Sequence, residues 1–195
     1  MPIKTDQELA DAVSQASALL QAISDYAGRA PRKDAVVRFP RGFLRTAAEH
    51  RERLMFISDT TLRSNISYTL MMSDAVYWML IRTDLSGTAG EMLIKLYVFI
   101  AGTLIESITK SYLKGACGKG YKDRTQHLVT VGIITGDLKT ELDWVWDARN
   151  NMHLFLLDDS EWVNDYTAAT HKRCVAAFKK LVEVLATKGP LEAAG

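Results

Sequence analysis

The chain carries almost no proline away from its two ends. Its four prolines stand at positions 2, 31, 40 and 190, so none falls between Arg41 and Gly189. Within that stretch apolar residues recur every three or four positions, which is the period of an α-helix, and not every two, as in a strand. Proline interrupts helices, so its absence permits long ones. The sequence therefore predicts an all-α protein, built as an antiparallel helical bundle with short turns.

Capping residues and glycine-rich turns set the predicted boundaries. Thr5 with Glu8 and Thr88 with Glu91 each fit a capping box, in which two side chains bond backbone N–H groups at a helix start. Predicted helices cover about residues 5–28, 42–57, 59–81, 90–113, 124–131, 137–157 and, with Ser160 as N-cap, 161–186. We expect a single helical domain over 1–195, with N-terminal helices over 5–57, a core over about 59–187 and a frayed tail over 188–195.

Composition predicts a soluble, cytoplasmic protein. Apolar residues make up 48% of the chain, enough for a core, and the net charge of +1 argues for neither nucleic acid nor membrane. Cys117 and Cys174 lie far apart in no metal-like spacing, and the N-terminus lacks a signal-peptide pattern. The most apolar window, residues 92–105, is too short for a membrane span and contains Lys95. We expect no metal, no cofactor and no membrane partner.

The stretch "WDARNNMHLF", residues 146–155, combines polar and large apolar residues. Arg149 and His153 are four apart, which places them on one face of a regular helix, on the same side as Leu142 and Val145. A buried arginine needs an anionic partner, and a histidine beside it is favoured in the neutral form that accepts protons. Such a pair suits phosphodiester chemistry, because arginine contacts phosphate with several donors and histidine exchanges protons near neutral pH.

A simpler interpretation of the same pair stays open. Two polar residues at this spacing occur on many helices. Arg149 could pair with Glu106 inside the core, and His153 could cap a buried carbonyl. Spacing alone does not separate these interpretations.

A longer pattern surrounds the pair. A short helix and a turn precede an amphipathic helix, and an upstream apolar run, "FIAGTLIESITKSYLKG", carries Glu106. The pattern consists of Gly132, Ile133 and Ile134 in the turn, Leu138 and Leu142 on the helix, and Arg149, Asn150 and His153 in the motif. This arrangement resembles the HEPN superfamily (higher eukaryotes and prokaryotes nucleotide-binding) over roughly residues 91–185. The motif is shorter than the usual one, since only Asn150, Asn151 and Met152 separate the arginine from the histidine.

The resemblance implies a HEPN-like homodimer, in which two motif helices form one composite cleft. It implies a metal-independent endoribonuclease, where the 2′-hydroxyl of the RNA attacks the adjacent phosphate. His153 would move the proton, Arg149 would stabilise the charged transition state, Asn150 would orient the phosphate or the histidine, and Glu106 would position Arg149. It also suggests phage defence or a toxin–antitoxin pair, with an antitoxin or regulatory protein as partner.

Two other functions stay open at this point. The first is a catalytically inactive HEPN-like module that dimerises or binds a nucleotide or partner protein. The second is a helical scaffold without relation to that superfamily.

Local charge gives two candidate RNA surfaces. One basic cluster lies near residues 29–45, and the other contains Lys110, Lys114, Lys119, Lys122 and Arg124. Ordinary solvated loops explain both clusters equally well. Acidic residues near the motif would repel phosphate unless they point away; they are Glu141, Asp143, Asp147, Asp158, Asp159, Glu161 and Asp165. A second Arg–His pair, Arg45 and His50, is interpreted as a solvated helix face.

Overall fold

The fold was described from a computed structural model, which covers residues 2–152, 160 and 163–191. Within these ranges the chain forms seven α-helices and one short 3₁₀ turn, and no strand. The predicted all-α class is therefore confirmed. The chain divides into two compact units, Met1–Arg41 and Gly42–Gly195.

The first unit contains α1, Asp6–Ala27, and the 3₁₀ turn Lys33–Ala35. The helix begins where the sequence predicted, since the Thr5 hydroxyl accepts a hydrogen bond from the Glu8 N–H at 3.1 Å. The Glu8 carboxylate accepts from the backbone N–H of Lys4 at 2.6 Å, one residue before the position that a capping box would use.

The second unit contains the other six helices of the described chain. These are α2 Ala47–Arg53, α3 Thr60–Arg82, α4 Gly87–Leu113, α5 Tyr121–Thr130, α6 Gly136–Asn150 and α7 Ala168–Lys188. The central helix is α4, which packs against α3, α5, α6 and α7. The short connection between α3 and α4 makes them an antiparallel hairpin.

The core is organised around α4. Val98 and Ile108 of α4 are completely buried, as are Leu142 of α6 and Leu181 of α7. The helix is long and apolar enough to cross a membrane by length and composition, but 56% of its most apolar window is buried within the fold. In this structure it therefore serves as the core helix of a bundle.

Two predicted helix N-caps are wrong. Helix α4 begins at Gly87 with Ser86 as N-cap, so Thr88 lies inside the helix and cannot form a capping box with Glu91. Helix α7 begins at Ala168, after Thr167, whose hydroxyl accepts from the Thr170 N–H at 3.3 Å. The predicted Ser160 cap is therefore not the start of this helix.

The motif helix is shorter than predicted. It ends at Asn150, and Asn151 and Met152 form a turn. The prediction had continued it to residue 157. His153 and residues 154–159 lie outside the described residues.

Arg45 and His50 do not form a solvated face, contrary to the sequence-based interpretation. His50 is fully buried, with Nε2 3.1 Å from Asp74 Oδ2. The same oxygen accepts from the backbone N–H and Nε of Arg45 at 3.2 and 3.0 Å, and Arg45 Nη2 bonds the other oxygen. Burial opposes ionisation of Asp74, but the hydrogen bonds from His50 and Arg45 outweigh it and lower its pKa to about 2.

Candidate functional site

Helices α4 and α6 approach each other closely at Gly102. A Cβ atom placed on Gly102 would lie 2.8 Å from Cβ and 2.9 Å from Cγ of Arg149. No real side chain tolerates such distances. The stem of Arg149 therefore lies directly on the backbone of α4, in space that only a glycine leaves open.

Aromatic rings and an amide fix the Arg149 guanidinium. Its central carbon lies 5.1 Å from the ring centre of Trp146 and 5.7 Å from that of Phe99, which allows cation–π attraction. Nη1 donates a hydrogen bond to Oδ1 of Asn150 at 2.9 Å. Asn150 thus contacts the arginine, and through this bond it can orient the guanidinium.

The predicted pairing of Arg149 with Glu106 is present, but it is loose. Arg149 Nη2 lies 3.9 Å from Glu106 Oε2, which is beyond hydrogen-bond distance. The other carboxylate oxygen lies 4.0 Å from Arg124 Nη2, so one acid is shared by two arginines. Nε of Arg149 is buried without a hydrogen-bond partner in the described part of the chain. Nη2 of Arg149 likewise has no hydrogen bond to a described residue.

Arg124, predicted to bind nucleic acid, lies inside the protein instead. It is 6% exposed, and its Nη1 donates to the carbonyl of Lys119 at 2.7 Å. It therefore holds the loop before α5 and supports Glu106. Lys114, Lys119 and Lys122 are exposed, as an RNA surface would require. Lys122 is also bound to Asp147, at 2.9 Å.

Tyr121 anchors the aromatic wall behind Arg149. Its ring stacks on Trp146 with centres 4.4 Å apart and planes 10° apart, and its hydroxyl donates to the carbonyl of Leu142 at 3.0 Å. Burial raises the pKa of Tyr121 well above its usual value, so the hydroxyl remains a donor. Trp146 is thereby held in the position from which it contacts Arg149.

Three of the four acidic side chains of α6 form ion pairs. Asp143 accepts from Lys139 at 2.6 Å and from the Thr125 hydroxyl at 2.7 Å. Asp147 binds Lys122, and Glu141 binds Arg173. These pairs reduce the repulsion that the acidic sequence would exert on phosphate. Asp158, Asp159 and Glu161 lie outside the described residues.

A pocket of about 500 Å³ opens beside Arg149. Its wall is mostly apolar, with Leu96 and Phe99 left 43% and 44% exposed. The lining consists of Met92, Lys95, Leu96, Phe99, Arg149 and Met152. Two cations on an apolar, partly aromatic wall suit a ligand with both an anionic group and a flat ring.

Sequence reasoning missed Gly102, Phe99, Trp146 and Tyr121. Gly102 alone carried a local signal, because a glycine inside a helix costs about 1 kcal/mol relative to alanine and so indicates a special requirement. The aromatic residues gave no such signal, since apolar rings at helical spacing usually form core. His153 lies outside the described residues, so its distance from Arg149 is part of the prediction only.

Comparisons with known proteins identify no relative. No protein-family model matches the chain, and neither the curated proteins nor the solved structures gave a match. The assignment of function therefore depends on the residues and on the geometry around Arg149.

Proposed function

We propose that this chain is a HEPN-like endoribonuclease whose Arg149 binds the RNA backbone and which needs no metal ion. The observation that carries the proposal is that Arg149 is loosely paired beside an open pocket. Its carboxylate partner is 3.9 Å away, its Nη2 has no hydrogen bond to a described residue, and it lines an open pocket of about 500 Å³.

The proposed reaction uses the RNA as its own nucleophile. The 2′-oxygen attacks the adjacent phosphorus, the bond from phosphorus to the 5′-oxygen breaks, and the products carry a 2′,3′-cyclic phosphate and a 5′-hydroxyl. Arg149 contacts the non-bridging oxygens and stabilises their charge in the transition state. His153 takes the proton of the 2′-hydroxyl, and the departing 5′-oxygen receives a proton from solvent water, to which the histidine later returns its own. Glu106 limits the movement of Arg149, and Phe99 offers a stacking surface for a base.

We also propose that two copies form the complete site. Leu96 and Phe99 of α4 are exposed apolar residues that line the same pocket as Arg149 of α6. Exposed apolar residues beside a polar site favour a protein interface. Light scattering on the purified chain tests this step. A homodimer that a Leu96→Glu change converts to a monomer would support it, and a monomeric parent would contradict it.

Cleavage of a labelled single-stranded RNA in excess EDTA tests the activity. We expect the parent to cleave, and Arg149→Ala and His153→Ala each to lose activity while remaining folded. Arg173→Ala is the matched control. This arginine also lies over a tryptophan, Trp144, at 4.0 Å, but it binds Glu141 through two hydrogen bonds of 2.6 and 3.1 Å. It should therefore leave cleavage unchanged.

The same set of variants distinguishes the proposed ribonuclease from the alternative function. A catalytically inactive HEPN-like module would bind RNA or a nucleotide through Arg149 and cleave nothing. Fluorescence anisotropy would then show binding by the parent and by His153→Ala, but not by Arg149→Ala. Equal behaviour of the Arg149 and Arg173 variants in both assays would contradict both functions.

The cellular role follows from the same chemistry. A ribonuclease of a toxin–antitoxin pair or a phage-defence system, acting in the cytoplasm, would arrest growth when produced without its antitoxin or regulatory partner. We expect induced expression in a bacterial host to slow growth, and Arg149→Ala to restore it. Normal growth with the active parent enzyme would contradict this role.

A further inference from the structure

A second pocket lies where α2, α3, α4 and α7 meet. It encloses about 180 Å³ and is lined by three cations, Arg45, Arg53 and Lys179, with Asp74 as the one acidic residue among the lining residues. Tyr77 adds an aromatic ring to the wall. The pocket belongs to the second unit and is separate from the Arg149 pocket, since the two share no lining residue.

The buried Asp74 holds Arg45 in one orientation. Arg45 donates to it through its backbone N–H, Nε and Nη2, and His50 closes the network from the other side. The charge of Asp74 is therefore balanced by Arg45 within the network. The Arg45 side chain is nevertheless 45% exposed, so part of it remains available to a ligand in the pocket.

The other two cations lack strong partners. Arg53 has no hydrogen bond or ion pair with any described residue, and burial followed by the like charge of Arg45 lowers its pKa. Lys179 has a single long ion pair, 3.8 Å from Glu183 one turn along α7. Positive charge thus exceeds negative charge among the lining residues, while Glu49 and Glu183, which do not line the pocket, offset part of that excess. An anion inside the pocket would be attracted by the three lining cations.

We propose that this pocket binds a small phosphate group, either inorganic phosphate or a small phosphate monoester. Its volume corresponds to about six water molecules at ~30 Å³ each, which admits a phosphate and little more. Guanidinium and ammonium groups are the donors that bind phosphate oxygens most strongly. Arg45 is pre-oriented by Asp74, which lowers the cost of ordering the site when the anion binds.

Calorimetric titration with inorganic phosphate, at constant ionic strength and with chloride as the comparison anion, tests the proposal. We expect the parent to bind phosphate saturably, with a millimolar or tighter dissociation constant. The double variant Arg53→Gln with Lys179→Gln should weaken binding by about tenfold or more. The matched control combines Arg51→Gln with Lys172→Gln, which removes two cations of the same helices that do not line the pocket. It should retain the affinity of the parent.

Three results would overturn the proposal. They are the absence of saturable phosphate binding by the folded parent, equal weakening in the control double variant, and loss of binding in Arg149→Ala but not in the Arg53 and Lys179 variant. The last result would place the phosphate in the other pocket. Glycerol phosphate, a small phosphate monoester, is titrated in parallel. Its affinity relative to inorganic phosphate shows whether the pocket prefers the free ion or a monoester.

Discussion

Replacing Gly102 with alanine tests the geometry of the proposed site most directly. The added methyl would lie 2.8 and 2.9 Å from Cβ and Cγ of Arg149, closer than real Cβ contacts. Both of those atoms lie next to the backbone of α6. A rotamer change cannot move Cβ, so α6 itself must move away from α4.

Two opposing effects set the expected stability. Overpacking a well-filled interior costs about 1–3 kcal/mol, whereas replacing a helical glycine with alanine gains up to ~1 kcal/mol. Gly102→Ala should therefore destabilise the protein by roughly 0–3 kcal/mol. Gly136→Ala is the control, because a Cβ there meets nothing within 4 Å. It should be neutral or slightly stabilising.

Urea unfolding gives the stability difference, and RNA cleavage and binding give the functional one. A displacement of Arg149 approaching 1 Å would reduce cleavage by up to ~100-fold, since catalytic groups tolerate little misplacement. Gly136→Ala should retain full activity. If Gly102→Ala were as stable as Gly136→Ala and as active as the parent, the close approach of α4 and α6 would not be what positions Arg149.

Two further perturbations follow from the ion pairs. Asp74 has a pKa of about 2 against an unfolded value of about 3.9, so its stabilising effect is complete above about pH 5 and is lost as the pH falls through 2. Asp74→Asn should cost roughly 2 kcal/mol at neutral pH and flatten the acid limb of the stability curve, measured by urea unfolding at several pH values. Glu106→Gln should change stability by less than about 1 kcal/mol, because its ion pairs are long and partly exposed, yet tighten RNA binding in anisotropy assays. A large destabilisation by Glu106→Gln would show that its ion pairs support the fold.

The sequence was sufficient to predict the helices, because the signals that make them are local. The period of the apolar residues, the positions of the prolines and the Thr5 N-cap all depend on residues close together in the chain. Asp59 gives a similar local signal, because its carboxylate accepts a hydrogen bond from the Leu62 N–H at 3.0 Å and caps α3. The proximity of Glu106 and Arg149 was also predicted. The burial of Arg124 was not predictable locally, since it depends on how α5 packs against α4 and α6.

The pair Arg45 and His50 shows why a two-residue sequence pattern does not predict the role of its residues. The sequence alone gave no reason to bury it. The partner that decides its role is Asp74, which lies 29 residues after Arg45 and 24 after His50. That carboxylate joins the exposed Arg45 and the buried His50 in one hydrogen-bonded network. A periodicity argument cannot identify such a partner, because it requires the packing of α2 on α3.

Arg149 and Arg173 extend the same reasoning to the choice of a functional residue. Each has a tryptophan and a glutamate beside it. Arg173 binds Glu141 through two hydrogen bonds and lies 4.0 Å from Trp144, so its donors are largely used. Arg149 lies 5.1 Å from Trp146 and has no hydrogen bond to Glu106, which is 3.9 Å away and shared with Arg124. Composition around the two arginines is alike, and each of them lines a pocket. The difference is the pairing with the carboxylate, which is tight for Arg173 and loose for Arg149, and this favours Arg149 as the phosphate-binding residue.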